Sequence, residues 1–190
     1  MAERRDLPLF AWRDALGARR RRRRQLLCRG ALIALGCASL AATIALPPLP
    51  RLVWNTSASA RVGLYRVAPG APLARGDMVI ARTPRPVRVL AARRRYVPAN
   101  VPLVKRVAGV RGDRVCAVGT TVTINYRVVA ARRARDRLGR PLPWWSGCRK
   151  LGKGGLFLLM AESPDSFDGR YFGPTPVGDV VGRATPLWVR

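Results

Sequence analysis

A chain of 190 residues, 48% of them hydrophobic, with a formal net charge of +26 can bury one modest core and is too apolar for wholesale disorder. The basic excess points to nucleic acid or anionic membrane surfaces, although only Lys105, Lys150 and Lys153 of the 36 basic residues are lysine, an arginine bias that GC-rich coding also produces. Histidine is absent, which excludes Ser-His-Asp and Cys-His catalysis and His-ligated metals, and Cys28, Cys37, Cys116 and Cys148 include no CxxC pair, so no zinc ribbon is expected.

Residues 1–29 are polar and contain six consecutive arginines at 19–24. Residues 30–46, GALIALGCASLAATIAL, carry no charge and end at Pro47-Pro48-Leu49-Pro50. Seventeen uncharged residues are the lower limit for a spanning helix, and residues 26–28 extend the run if Arg29 snorkels to the headgroups. The arginine cluster before it places the N-terminus in the cytoplasm by the positive-inside rule. The expected organisation is a cytoplasmic basic tail at 1–29, a transmembrane anchor at 30–46, and an exported domain at 47–190. A short, Ala-rich apolar run also fits a cleaved secretory signal. The long charged segment before it and the prolines directly after it favour a retained anchor, and both readings export the remainder.

The exported part reads as mainly β. Residues 101–110, 114–118, 121–129 and 155–160 carry alternating or continuous β-branched and apolar residues, with turns expected at Gly112-Asp113 and Gly119-Thr120. Nothing suggests a βαβ pattern. Residues 84–95 read as a polar, basic insertion, and residues 130–140 as a solvated loop or short helix.

Three segments could carry chemistry. Residues 54–65, WNTSASARVGLY, set hydroxyl residues among small neighbours, which suits close approach of a peptide backbone; an ordinary Ser/Thr linker has the same composition. In residues 101–109, VPLVKRVAG, a strand would place Leu103, Lys105 and Val107 on one face. A lysine among apolar neighbours has a lowered pKa and as a neutral amine can take a proton from a serine hydroxyl. Arginine cannot do this because it stays protonated. A snorkelling lysine at a strand edge is the structural alternative. In residues 161–174, AESPDSFDGRYFGP, Asp168 and Arg170 could form a charge-assisted pair or belong to a polar loop.

The order and wording of these segments resemble the bacterial type I signal peptidases, and within them the TraF-type peptidases of conjugative elements. Their serine box resembles N-x-S-x-S-x-P-x-G-L-Y, matched here at Asn55, Ser57, Ser59, Gly63, Leu64 and Tyr65. The lysine box, K-R-V-x-G-x-x-G-D, matches at Lys105, Arg106, Val107, Gly109, Gly112 and Asp113. The late box, S-x-D-S-R-Y-F-G, matches at Ser166, Asp168, Arg170, Tyr171, Phe172 and Gly173. GRPLPWWSGC at 139–148 is also similar to this family. The chain departs from the pattern at Arg61, where the family has proline, and at Gly169, where it has serine.

The resemblance implies a signal-peptidase-like β fold with one N-terminal transmembrane helix and a Ser-Lys dyad, Ser59 attacking and Lys105 acting as general base. It further implies an oxyanion hole from the Ser57 hydroxyl and the Ser59 N–H, Ser166 orienting Lys105, and Asp168 and Arg170 bracing that loop. No cofactor and no metal are implied. The partners implied are an exported pilin-like precursor in conjugative transfer and inner-membrane lipid; no nucleic acid is expected. At roughly 3.3 Å per residue the 13 residues from Leu46 to Ser59 reach at most ~43 Å from the membrane end. Arg61 would set a bulky cation beside the serine loop. Cys116 and Cys148, on the oxidising side, are expected to form a disulfide closing a loop of about 30 residues, for roughly 3–4 kcal/mol; two unpaired buried thiols are the alternative. The rival functions are a general type I signal peptidase and a membrane-tethered basic protein binding DNA or lipid through its arginines.

Overall fold

The computed structural model describes residues 8–46 and 49–190, and the chain divides into two units, Met1–Pro48 and Leu49–Arg190. Residues 1–7 of the expected tail, and Pro47 and Pro48, lie outside the described residues.

The first unit is one helix, α1 (Pro8–Ala45), ~57 Å long at 1.5 Å per residue. The arginine run, read from the sequence as a tail ahead of the anchor, is part of it. Arginine, alanine and leucine are strong helix formers, and no proline interrupts the ladder before Pro47. The segment Ala15–Ala45 is long and apolar enough to cross a membrane, which fits a membrane anchor.

The second unit is mainly β. Its strands are β1 (Leu52–Asn55), β2 (Gly63–Ala68), β3 (Met78–Ala81), β4 (Leu103–Gly109), β5 (Arg114–Val118), β6 (Thr121–Ile124), β7 (Arg127–Ala131), β8 (Gly147–Lys150), β9 (Gly155–Leu159), β10 (Thr175–Pro176) and β11 (Val180–Val189). Two short α-helices, α2 (Arg85–Arg93) and α3 (Gly169–Phe172), and a 3-10 turn at Val177–Asp179 complete it. One sheet has the order β1-β2-β11-β3-β4-β9-β10 and a smaller one the order β7-β6-β5-β8. Burial alternates along β5 and β6, as expected for strands with one face on the core. On β9 four successive residues are buried, because the strand serves two cores. Leu156 and Leu158 pack with Val79 and Val107, while Phe157 and Leu159 pack with Val115 and Val122 of the small sheet. Cys116 and Cys148 sit directly opposite on β5 and β8 and are joined as a disulfide; Cys28 and Cys37 are free.

Three elements differ from the sequence reading. Residues 121–129 are not one strand: the chain turns at Asn125 (φ 48°) and Tyr126 (φ 69°) to form the β6–β7 hairpin. Two successive positive φ angles are the mark of a type I′ turn, usually signalled by Asn-Gly, and tyrosine hides it. The insertion at 84–95 is helix α2, entered at Pro84 with proline in its first turn; Ala91 packs with Phe167 and Tyr171. Of the two forms expected for residues 130–140, the structure has the loop and not the helix. Ala130 and Ala131 complete β7, and a loop closed by an Arg135–Pro141 bridge follows. Arg132 in it is not solvated: it is 2% exposed, donates Nε to the Gly119 carbonyl and Nη1 to the Trp145 carbonyl, and lies 3.6 Å from the Trp144 ring centroid.

Candidate active site

Strand β4 lies inside the larger sheet between β3 and β9, and Lys105 pairs with Val79. Its neighbours on the same strand face, Leu103 and Val107, are buried, and Lys105 itself is 2% exposed. A strand so placed cannot let the ammonium snorkel to solvent. Burial therefore lowers the Lys105 pKa from 10.5 to about 8, with Arg170 adding to the shift and Asp168 opposing it. The ammonium donates to Ser59 Oγ at 2.7 Å and to Ser166 Oγ at 2.8 Å. Residues 46 and 61 positions apart from Lys105 thus converge on one nitrogen.

Ser59 stands in the connection between β1 and β2, held by Asn55. The buried Asn55 amide donates to the carbonyls of Ser57, Ala60 and Arg61, and its oxygen accepts from the Ser57 N–H. One side chain thus ties the whole turn, a role that matching Asn55 to a box did not suggest. Gly63 closes the turn at φ +148°, where a Cβ would lie 2.1 Å from the Trp188 carbonyl oxygen of β11; only glycine permits that approach. Ser57 Oγ lies 3.0 Å from Ser59 Oγ and accepts from the Ser59 N–H at 3.3 Å. The two candidate oxyanion donors are therefore adjacent, with the Ser57 oxygen accepting from the Ser59 N–H.

Ser166 is fixed from behind. Asp168 and Arg170 are fully buried and paired through both carboxylate oxygens, Nε to Oδ1 at 2.8 Å and Nη2 to Oδ2 at 3.1 Å. Arg170 also donates to the carbonyls of Met160, Ser163 and Pro164, which precede Ser166, and Asp168 accepts the Met160 N–H. A buried ion pair holds only when its remaining donors are satisfied, and here they are taken by the backbone of the loop carrying Ser166 and by the Ala131 carbonyl of β7.

Both departures have a structural reading. Arg61 is exposed, does not line the cleft that holds Ser59 and Lys105, and contributes its carbonyl to Asn55 and Tyr65. The expected cation beside the serine loop is thus absent from the cleft. At Gly169 a Cβ would come within 2.7 Å of the Leu158 carbonyl and 2.9 Å of the Phe157 ring, so this core has no room for the serine of the family pattern.

A hydroxyl within hydrogen-bond reach of a desolvated lysine amine, beside two donors and inside a cleft of about 630 Å³, is equipped for acyl transfer without histidine. The mainly β fold and these groups belong together in one class, the serine peptidases. The family described as signal peptidase, peptidase S26, matches residues 24–189, and the chain belongs to it. It is 34% identical over 140 residues to a probable conjugal transfer protein TraF of Sinorhizobium fredii, spanning 68% of this chain and 73% of that relative. It is 35% identical over 130 residues to a plasmid transfer protein TraF of Escherichia coli, spanning 63% and 72% respectively. Among solved structures it is similar to a signal peptidase I of Enterococcus faecalis V583, with a TM-score of 0.37 and 20% identity over 60% of this chain and 98% of that one.

Proposed function

We propose that the chain is a membrane-anchored endopeptidase with a Ser59–Lys105 dyad that removes a leader or terminal segment from an exported pilin-like precursor in conjugative transfer. The observation that carries this reading is the 2.7 Å contact between Lys105 Nζ and Ser59 Oγ on a lysine that burial has shifted to about 8. Neutral Lys105 takes the Ser59 proton as Oγ bonds to the scissile carbonyl carbon. The oxyanion displaces the Ser57–Ser59 hydrogen bond and accepts from both donors. The Lys105 ammonium then passes its proton to the leaving amine as the C–N bond breaks. Water, or an amine that would cyclise the product, attacks the acyl-enzyme with Lys105 again as base.

The conjugative role rests on the TraF relatives. The topology, with the N-terminus in the cytoplasm and the peptidase unit in the periplasm, rests on the arginine run ahead of the apolar stretch. Purified full-length protein in detergent is the material for the test. Lys105→Arg keeps the charge and removes the base, and Ser59→Ala removes the attacking oxygen; neither variant is expected to cleave a pilin-like precursor while circular dichroism stays native. Full activity in either variant would sink the dyad.

A further inference from the structure

Two basic insertions stand apart in the sequence, residues 84–95 and 130–140, and the dyad uses neither. The structure brings them together as one wall of the cleft that holds Ser59 and Lys105. Tyr96 donates to Asp136 at 2.6 Å, Arg94 donates to the Pro141 carbonyl, and Arg140 reaches back to the Arg94 carbonyl at 3.3 Å. The wall presents Arg94, Arg133, Arg135, Arg137 and Arg140 to the cleft, against two carboxylates, Asp136 and Asp165.

The charges do not cancel. Arg140 pairs with Asp136. Arg133 and Arg137 share Asp165 and remain 57% and 79% exposed. Arg135 donates to the Gly139 carbonyl, and neither it nor Arg94 has a carboxylate partner among the described residues. Five guanidinium groups against two carboxylates leave three positive charges along one side of a cleft, where low-dielectric walls focus the field. Guanidinium groups are fork-shaped donors suited to carboxylates. The pairs with Asp165 also tie this wall to the residue before Ser166, so the basic surface is held beside the reacting groups.

We infer that this arginine wall is a specificity element that selects a precursor carrying acidic side chains close to its cleavage site. The inference rests on the proposed peptidase reading and adds the chemistry of the segment it takes. A carboxylate entering the wall meets Arg135 directly, and it meets Arg137 without stripping Asp165, which Arg133 still holds. Recognition is by exposed pairs, each worth roughly threefold in affinity at low salt, so two such pairs give about tenfold. The effect belongs in KM, because it is made equally before and during the chemical step.

The test separates binding from cleavage. Full-length Ser59→Ala protein in neutral detergent is titrated with two fluorescent peptides of identical length around one cleavage site, one with three glutamates and one with three glutamines. The expected result is about tenfold tighter binding of the glutamate peptide at 50 mM salt, with the preference largely screened at 500 mM. In Arg135→Gln/Arg137→Gln the ratio falls towards one, and in Arg135→Glu/Arg137→Glu it inverts in favour of the glutamine peptide, which a merely structural role would not produce. Equal affinities in the parent protein, or a ratio unchanged in both double variants, overturn the inference. Loss of cleavage by the protein with Ser59 intact, with the binding preference retained, counts against the dyad and leaves the wall standing.

Discussion

Lys105→Met isolates the physical property on which the dyad depends, a lysine held in an apolar place. The folded chain sets the Lys105 pKa at about 8 against 10.5 for a free side chain. At 1.36 kcal/mol per pKa unit, a gap of about 2.5 units amounts to about 3 kcal/mol. Its sign follows from proton counting. Between pH 8 and 10.5 the unfolded chain binds a proton that the native chain has released, so stability rises with pH across that window. Below pH 8 the penalty is present in full, and above 10.5 it is gone.

Methionine keeps an unbranched apolar stem and deletes the titration, but it also deletes the hydrogen bonds to Ser59 and Ser166, about 1 kcal/mol each. At pH 7.5 the variant is therefore expected to be about 1 kcal/mol more stable than the parent, and at pH 10.5 about 2 kcal/mol less stable. Urea titrations of both full-length proteins in non-ionic detergent, followed by tryptophan fluorescence, measure that crossover, and other titrating groups cancel in the difference. The same ionisation is expected as the rising limb of kcat/KM, with a midpoint near pH 8, and no histidine exists to imitate it. A parent-minus-variant difference independent of pH would refute the argument that burial makes Lys105 a base.

Ser57→Ala removes one of the two adjacent oxyanion donors, so turnover is expected to fall about 100- to 1000-fold with KM little changed, measured on the precursor. Asp168→Asn leaves buried Arg170 uncompensated, which is expected to destabilise the protein by about 3–5 kcal/mol in urea. It also withdraws the carboxylate that raises the Lys105 pKa, so any residual activity titrates below pH 8. Replacing Cys116 and Cys148 together by serine reopens a loop spanning 32 positions and is expected to cost about 3–4 kcal/mol, seen as a lowered Tm. Gly169→Ser forces a Cβ against the Leu158 carbonyl, with about 1–3 kcal/mol of overpacking and a lowered Tm as the readout; an unchanged Tm would show that this loop can yield.

The parts of this protein open to sequence reading are those whose cause is local. Lysine on a strand face with leucine and valine two residues away implies burial from the period of a strand alone, and the apolar run after six arginines implies an anchor. The hidden parts depend on partners far along the chain. Nothing near Arg132 signals that Trp144 and the Trp145 carbonyl bury it, and a stretch with arginines at 132, 133, 135, 137 and 140 reads as solvated throughout. Helix α2 was concealed for the same reason: its buried Ala91 faces Phe167 and Tyr171, some 80 residues on. Asn55 lies between these cases. Its position in the serine segment was visible, but its four hydrogen bonds exist only when the turn has closed. What the long-range packing adds is direction. It turns two basic stretches with no shared local pattern into one charged wall, and sets that wall on the cleft where a lysine has been stripped of water.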